Sequence, residues 1–297
     1  ANNVSKMTLE MLKDKFETCQ PVDEFIHQKL LSLFFIYLIV GGMPDAVKTY
    51  IATKDIREVD KVQRDIVMLY KEDFSQYESE DKKLRLISIY DIVPAELNKQ
   101  NKKFVFTMLD KELKFDRYEN SFLWLKDAGV VLPVYNVEAP TIPLKASKSS
   151  NVFRLFSNDT GLLTSAYPAE TKIELINKNS EVNNGAHFEN AVAQQLTANG
   201  LEPYFCKKKN LGELDVLIEL GGKVVPIEVK SRKAYKTHKA LDNFMNISDY
   251  HIDKAYVLSV ANVEQKGAVV YLPIYMCYLL KEQEIGRLIV DLDMEGL

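Results

Sequence analysis

The spacing of apolar residues predicts that the first 80 residues of the chain are helical. An apolar run of 14 residues, 30–43, is interrupted by Ser32 and closes with two glycines and a methionine. A membrane-spanning helix needs about 20 apolar residues, so this run predicts a buried core helix instead. Helical spacing continues from Ile56 to Leu69. The charged stretch 78–83 marks the first predicted boundary.

The next region, 81–168, has the order of elements found in a winged helix, with three helices followed by two strands across a proline-containing loop. A winged helix presents its third helix, here about 116–127, to DNA or to a protein partner. Basic and acidic side chains are interspersed there, so this helix is not a convincing reader of DNA, and its partner is left open. The helical patterns cover 84–92, 101–112 and 117–128, and the strand patterns cover 130–137 and 152–156.

The last region, 169–297, alternates helices and strands. A helical pattern ends at Gly200, and the strand patterns 214–220 and 223–230 follow it. The complete chain is therefore predicted to be an α/β protein, α+β overall. Later patterns predict a helix near 242–246 and strands at 255–259 and 268–272.

The turn between the two strand patterns fixes where their side chains lie. The pair Gly221-Gly222 between two strands is a strong signal for a two-residue hairpin turn. If the residues flanking this turn are paired, Asp215 lies directly opposite Glu228, with the Cβ atoms about 4.5–5.5 Å apart. Lys230 points to the same face because side chains alternate along a strand. The opposite face is predicted to be apolar and to consist of Val216, Ile218, Leu220, Val225, Ile227 and Val229.

Two carboxylates in such a position require a compensating charge, because like charges opposite each other destabilise a sheet. Carboxylate oxygens suit Mg²⁺ or Mn²⁺, and Glu189 on the preceding helix supplies a third carboxylate. Glu189, Asp215 and Glu228 are therefore predicted metal ligands, and Lys230 is predicted to orient a water molecule or stabilise charge on a phosphoryl oxygen. All four are candidate catalytic residues. The alternative is a solvated ion cluster on a surface hairpin.

The spacing Glu-x-Lys is not informative by itself, because it occurs five times in the chain. Only the copy at Glu228 ends an apolar strand whose partner strand carries an aligned aspartate. The four histidines lack metal-ligand spacing and are interpreted as polar or capping residues.

Composition restricts the class of protein. The chain has 297 residues, of which 46% are hydrophobic and 27% are charged, as in a soluble globular protein of two or three domains. Its three cysteines are too few and too scattered for a disulfide framework or a thiolate zinc site, which favours a cytoplasmic location. No membrane segment or signal peptide is predicted. The chain begins at Ala1 without an initiator methionine, which suggests a processed or excised fragment.

The net charge of −4 argues against a nonspecific coat on nucleic acid, but the charges are unevenly distributed along the chain. Residues 207–239 carry nine Lys and Arg against four Asp and Glu, whereas 240–297 carry four against nine. A local basic strip of this kind can attract a phosphate backbone of DNA or RNA, although a solvated surface is the simpler alternative. The predicted phosphate-contacting residues are Lys207, Lys208, Lys209, Arg232, Lys233 and Lys236.

Several motifs together resemble known families. Glu189, Asp215, Glu228 and Lys230, in the order helix, strand, turn, strand, resemble the PD-(D/E)xK nuclease superfamily, which has the restriction-endonuclease-like fold. Over about residues 30–275 the chain resembles the C-terminal region of a family of bacterial and archaeal AAA-type ATPases. The matching stretches are Tyr37-Leu38, Gly41-Gly42-Met43-Pro44-Asp45-Ala46-Val47, Pro94-Ala95-Glu96-Leu97-Asn98, Asn101-Lys102-Lys103-Phe104, Trp124-Leu125-Lys126-Asp127-Ala128-Gly129, Asp159-Thr160-Gly161-Leu162-Leu163, Phe188-Glu189-Asn190, Glu213-Leu214-Asp215 and Pro226-Ile227-Glu228-Val229-Lys230-Ser231.

This resemblance implies three parts. Residues 1–80 would be a helical connector to a missing ATPase module, 81–168 a winged-helix-like domain, and 169–297 a nuclease-like domain. The only Gly-Lys pair, Gly222-Lys223, lies in the hairpin turn and is followed by Val224, so this chain has no P-loop and no ATP site.

Two functions follow as hypotheses. The first is a metal-dependent nuclease-like effector acting on phosphodiesters, with ATP hydrolysis confined to the parent protein. The second is a non-catalytic module that binds nucleic acid or protein and is regulated by the ATPase.

Overall fold

The computed structural model describes residues 4–76, 80–99, 104, 119–177, 184–232 and 234–282. Helices and strands are mixed along these residues, which confirms the predicted α+β class. The helices are α1 (Lys6–Thr18), α2 (Glu24–Val40), α3 (Pro44–Thr53), α4 (Ile56–Gln76), α5 (Glu80–Leu97), α6 (Glu119–Asp127), α7 (Thr160–Ser165), α8 (Ala169–Ile176), α9 (Gly185–Ala198) and α10 (Lys239–Met245). The strands are β1 (Val131–Val137), β2 (Lys148–Ser157), β3 (Tyr204–Lys208), β4 (Gly212–Leu220), β5 (Lys223–Val229), β6 (Ala255–Ser259), β7 (Glu264–Lys266) and β8 (Val269–Pro273).

These eight strands form one mixed sheet in the order β2-β1-β3-β4-β5-β6-β8-β7. Strands β1 and β3 are parallel, with Tyr135 opposite Tyr204 and Asn136 opposite Phe205. The two strands of the predicted winged-helix-like region and the strands of the predicted nuclease-like region therefore belong to the same sheet. The division of the chain at residues 80 and 168 stays a prediction, and the sheet is continuous across the second of these boundaries.

The predicted hairpin is present with the predicted register. Leu220 pairs with Lys223, and the ladder continues in step to Val216 and Ile227. The turn glycines, Gly221 and Gly222, both have positive φ, as a two-residue hairpin turn requires. The apolar face of the hairpin is buried in a core shared with α2 and α9, and its residues there are Val216, Ile218, Val225, Ile227 and Val229.

Helix α2 is the buried core helix predicted from the apolar run. It begins where the Asp23 carboxylate accepts hydrogen bonds from the backbone of Phe25 and Ile26, and it ends at Gly41. Two of its aromatic rings, Phe34 and Phe35, are buried in the core. None of the helices in the described part of the chain is both long enough and apolar enough to span a membrane.

The segment that starts at Asp159 has a structural role. The Asp159 carboxylate is buried and accepts hydrogen bonds from the backbone N–H of Leu162 at 3.0 Å and of Gly42 at 2.7 Å. It therefore caps α7 and also holds the turn between α2 and α3. Gly161 is required in the same place, because a Cβ atom there would lie 2.6 Å from the backbone N of Gly41.

The other predicted elements are found with shifted bounds. The pattern at 84–92 lies within the longer α5, and the third helix of the winged-helix-like region is described as α6. The predicted helix 101–112 lies outside the described residues apart from Phe104. The short strands β3 and β7 were not predicted.

Candidate functional site

Helix α9 brings Glu189 into the protein interior, and its two neighbours in sequence hold it there. The ring of Phe188 packs edge-on against Phe34, with ring centroids 5.3 Å apart. The side-chain amide of Asn190 accepts from the backbone N–H of Ser157 at 2.8 Å and donates to the backbone O of Ser157 at 3.2 Å. Glu189 lies between these two anchors and is only 4% exposed. In the motif Phe-Glu-Asn, the first and third residues therefore anchor α9, and the second supplies a buried carboxylate.

Asp215 lies where the β4–β5 ladder stops. The last backbone pair is Val216–Ile227, and beyond it Oδ2 of Asp215 accepts from the backbone N–H of Val229 at 3.0 Å. On the other edge of β4 the pairing with β3 shifts, so that Asp215 and Val216 together oppose one residue of β3. Such a β-bulge redirects side chains and is common beside active sites. The Asp215 side chain therefore replaces a backbone partner of β5.

Glu228 and Lys230 form a close pair at the end of β5. Nζ of Lys230 lies 2.6 Å from Oε1 of Glu228, and the backbone N–H of Lys230 donates to the carbonyl of Leu258 at 2.8 Å. The other carboxylate oxygen of Glu228, Oε2, is buried and has no hydrogen-bond partner among the described residues.

The electrostatics of this pair depend on burial and on nearby carboxylates. The pKa of Glu228 is raised to about 8, chiefly by burial and also by the charges of Asp215 and Glu189, while Lys230 opposes the rise. Burial alone would lower the pKa of Lys230, but Glu228 and the same two carboxylates leave it above its ordinary value. The structure thus brings the four predicted catalytic residues into one electrostatic cluster.

The sequence prediction missed Arg154, a residue of β2 that is only 2% exposed. Its Nη1 donates to the backbone O of Asp215 at 3.1 Å and lies 3.4 Å from Oε2 of Glu189, while Nη2 pairs with Glu213. Its guanidinium carbon is 4.6 Å from the centre of the Phe205 ring. The only signal in the sequence is a single arginine inside the apolar strand pattern 152–156.

Glu213 extends the cluster to the surface. Burial alone would raise its pKa, but Arg154 and Lys207 hold it below its ordinary value. Oε2 of Glu213 lies 2.7 Å from Nζ of Lys207, which is half exposed. The ion pairs therefore run from Lys207 at the surface through Glu213 to the buried Arg154.

The carboxylates fit a divalent cation only in part. In the described part of the chain, no three or more His, Cys, Asp or Glu side chains are arranged so that they could hold a metal ion. The unpartnered buried Oε2 of Glu228 nevertheless offers a ligand atom, and a set of carboxylate oxygens is the donor set that Mg²⁺ and Mn²⁺ prefer. In this conformation, Arg154 contacts Glu189, and Asp215 is hydrogen-bonded to Val229.

The predicted phosphate-contacting residues have different surroundings. Lys208 donates to the hydroxyl of Tyr250 at 2.7 Å, and Lys236 lies 2.7 Å from a carboxylate oxygen of Glu264. Lys209 and Arg232 are exposed. Lys233 lies outside the described residues. Contact of this strip with phosphate stays a prediction.

Two family models match the chain, and both describe domains of unknown function. One, DUF8612, matches residues 31–173, just under half of the chain, and the other, DUF4143, matches residues 184–276. Neither a curated protein nor a solved structure matches it. Glu189, Asp215, Glu228 and Lys230 all fall within the second matched segment, whereas Arg154 falls within the first.

Proposed function

We propose that this chain is the effector region of an AAA-type ATPase and carries a metal-dependent phosphodiesterase site of the nuclease type. The observation that carries the proposal is the buried Oε2 of Glu228, which has no partner among the described residues and lies in a cluster with Asp215, Glu189 and Lys230. A buried carboxylate oxygen without a partner is costly, and a cation would compensate for it.

In this proposal Glu189, Asp215 and Glu228 would hold Mg²⁺ or Mn²⁺ after a rearrangement, because in this structure Glu189 contacts Arg154 and Asp215 accepts from the backbone of Val229. When bound, the cation would supply charge to a phosphoryl oxygen and lower the pKa of a water molecule. Lys230 is 27% exposed in its side chain, so its ammonium is the part of the cluster that can approach a phosphodiester or orient the water. DNA or RNA is the proposed substrate, because the basic strip borders the cluster.

The assignment to an AAA-type ATPase rests on the sequence motifs and on the second matched segment. DUF4143 is commonly found in AAA-ATPase-associated proteins. ATP binding and hydrolysis are assigned to the parent protein, since the Gly222-Lys223 pair lies in the hairpin turn. A cytoplasmic location is proposed from the three scattered cysteines, Cys19, Cys206 and Cys277, which are all free thiols.

A second function is favoured by a different observation. The carboxylates of the cluster already have cationic partners inside the protein, since Arg154 pairs with Glu189 and Glu213 and Lys230 pairs with Glu228. Such pairs can persist as a purely structural network. The alternative is therefore a non-catalytic module that binds nucleic acid or protein and is regulated by the ATPase.

The test is cleavage of single- and double-stranded DNA and RNA with Mn²⁺, together with calorimetric Mn²⁺ binding. Lys230→Ala removes the proposed catalytic lysine. Lys223→Ala is the matched control, because Lys223 lies on the same hairpin and pairs with Asp253 at the surface. We expect cleavage by the wild type and by Lys223→Ala, and none by Lys230→Ala. Equal cleavage by Lys230→Ala, or no Mn²⁺ binding by the wild type, contradicts the nuclease proposal. Nucleic-acid binding without cleavage supports the alternative.

A further inference from the structure

We infer that Arg154 is a positioning residue that makes the site composite, so that the segment 31–173 contributes to a centre whose other residues lie in 184–276. This inference rests on the proposed function for what the site does. The placement of Arg154 rests on the contacts alone.

Placing this arginine in the interior is costly. Its side chain is 2% exposed, and its Nε is buried without a hydrogen-bond partner among the described residues. Burying a guanidinium is expensive unless its partners are well placed, and apolar residues often replace a buried ion pair without loss of stability. A structural role would therefore be served as well by an apolar side chain.

The contacts of Arg154 join a helix to a strand. Nη1 is shared between the carboxylate of Glu189 on α9 and the carbonyl of Asp215 on β4, and Nη2 holds Glu213 on β4. One planar group thus aligns α9 with the bulged part of β4. A lysine has a single point of charge on a flexible stem and cannot reproduce this fork.

The burial of Arg154 excludes direct contact with a substrate. At 2% exposure the guanidinium cannot meet a phosphodiester, whereas Lys230 and Lys207 have 27% and 52% of their side chains exposed. Arg154 therefore acts through Glu189 and Asp215. Groups that orient metal ligands typically change metal affinity by about 10- to 100-fold when they are replaced.

The experiment compares Arg154→Met and Arg154→Lys with Lys172→Met in the complete chain. Lys172 is also buried, at 6% exposure, and also pairs with a carboxylate, that of Asp60, so its replacement reproduces the loss of a buried cation. The first readout is Mn²⁺ affinity by calorimetry. We expect both Arg154 variants to bind Mn²⁺ about tenfold or more weakly than the wild type, and Lys172→Met to bind like the wild type.

The second readout needs no metal and separates this inference from the proposed function. Arg154→Lys should accelerate amide hydrogen exchange in α9 and β4, whereas Lys172→Met should accelerate it near α4 and α8. If the wild type binds no Mn²⁺, the proposed function fails, and the exchange experiment still tests whether Arg154 aligns α9 with β4. Wild-type exchange in α9 and β4 of Arg154→Lys, or undiminished Mn²⁺ affinity in folded Arg154 variants, overturns the inference.

Discussion

Nζ of Lys230 lies 2.6 Å from Oε1 of Glu228, while Oε2 of the same carboxylate is buried without a partner among the described residues. Half of the carboxylate is thus compensated and half is not. This asymmetry agrees with the direction of the pKa of Glu228, which burial and the charges of Asp215 and Glu189 raise despite the adjacent ammonium. The free energy of unfolding is therefore expected to depend on pH through the titration of Glu228.

The first prediction concerns that dependence. Between the ordinary value of 4.5 and the raised value of about 8, the folded protein binds a proton at Glu228 that the unfolded chain has released. The contribution of Glu228 to the free energy of unfolding therefore falls as the pH rises from about 5 to about 8. Glu228→Gln removes this term, so the variant should lose less stability than the wild type over that range in urea unfolding. Glu264→Gln, in an exposed pair with Lys236, is the control. Parallel pH profiles for wild type and Glu228→Gln would exclude the raised pKa.

The second prediction concerns metal binding. With a pKa of about 8, the Glu228 carboxyl is largely protonated at neutral pH, and a divalent cation must displace that proton. Calorimetry with Mn²⁺ in two buffers of different ionisation enthalpy should therefore reveal the release of about one proton at neutral pH. The affinity should rise by up to about tenfold per pH unit below the pKa. A binding enthalpy that is independent of the buffer would show that Glu228 is not a ligand.

The third prediction concerns the basic strip. Lys209 and Arg232 are exposed, and each phosphate contact contributes about 0.9 to the slope of log affinity against log salt for duplex DNA. Lys209→Gln and Arg232→Gln should each weaken duplex binding and make the slope shallower by up to that amount. Lys266→Gln changes an exposed lysine of β7 in the acidic part of the chain and should leave the slope unchanged. An equal effect of all three substitutions would mean that net charge, and not the strip, determines binding.

The parts of the fold that the sequence predicts well are those whose signals are local. The hairpin register follows from Gly221-Gly222 and from alternating apolar residues within ten positions on either side. Helix α2 follows from the continuous apolar run at 30–43. In each case the partners are near one another in the chain, so the pattern itself contains the geometry.

The parts that the sequence does not predict depend on partners far apart in the chain. Arg154 meets Glu189 and Asp215 across 35 and 61 residues, and no spacing rule connects them. Strand β3 is short and ends in lysines, so its pattern resembles a charged loop until β1 and β4 pair with it. The joining of two matched segments in one sheet is likewise a long-range property.

The fourth prediction concerns the anchor of α9. Asn190→Ala removes both hydrogen bonds to the backbone of Ser157 and leaves buried polar groups there without these partners. The free energy of unfolding should fall by about 2 kcal/mol or more. Mn²⁺ affinity should also fall, because Asn190 anchors the helix at the residue that directly follows Glu189. Asn243→Ala removes one exposed bond to the Leu211 carbonyl and should cost less than about 0.5 kcal/mol. If both variants unfold at the same urea concentration, the anchor contributes nothing.

The last prediction tests the turn between α2 and α3. Gly41 has φ +70° and ψ −160°, a conformation that is essentially restricted to glycine. A Cβ atom there would also overlap the Asp159 carboxylate, which caps α7 and receives a hydrogen bond from Gln194 of α9. Gly41→Ala therefore combines backbone strain with displacement of Asp159.

Gly129 provides a comparison without the overlap. It has the same φ of +70°, but a Cβ atom there would meet nothing within 4 Å. Gly129→Ala should lower the free energy of unfolding by about 1–2 kcal/mol through strain alone. Gly41→Ala should cost about 2 kcal/mol more, because its ψ of −160° is essentially restricted to glycine and because the cap must also move. Urea unfolding of both variants measures the difference. Equal costs would mean that the Asp159 carboxylate moves without loss of stability. It would then not stabilise the contact between the α2–α3 turn and α9.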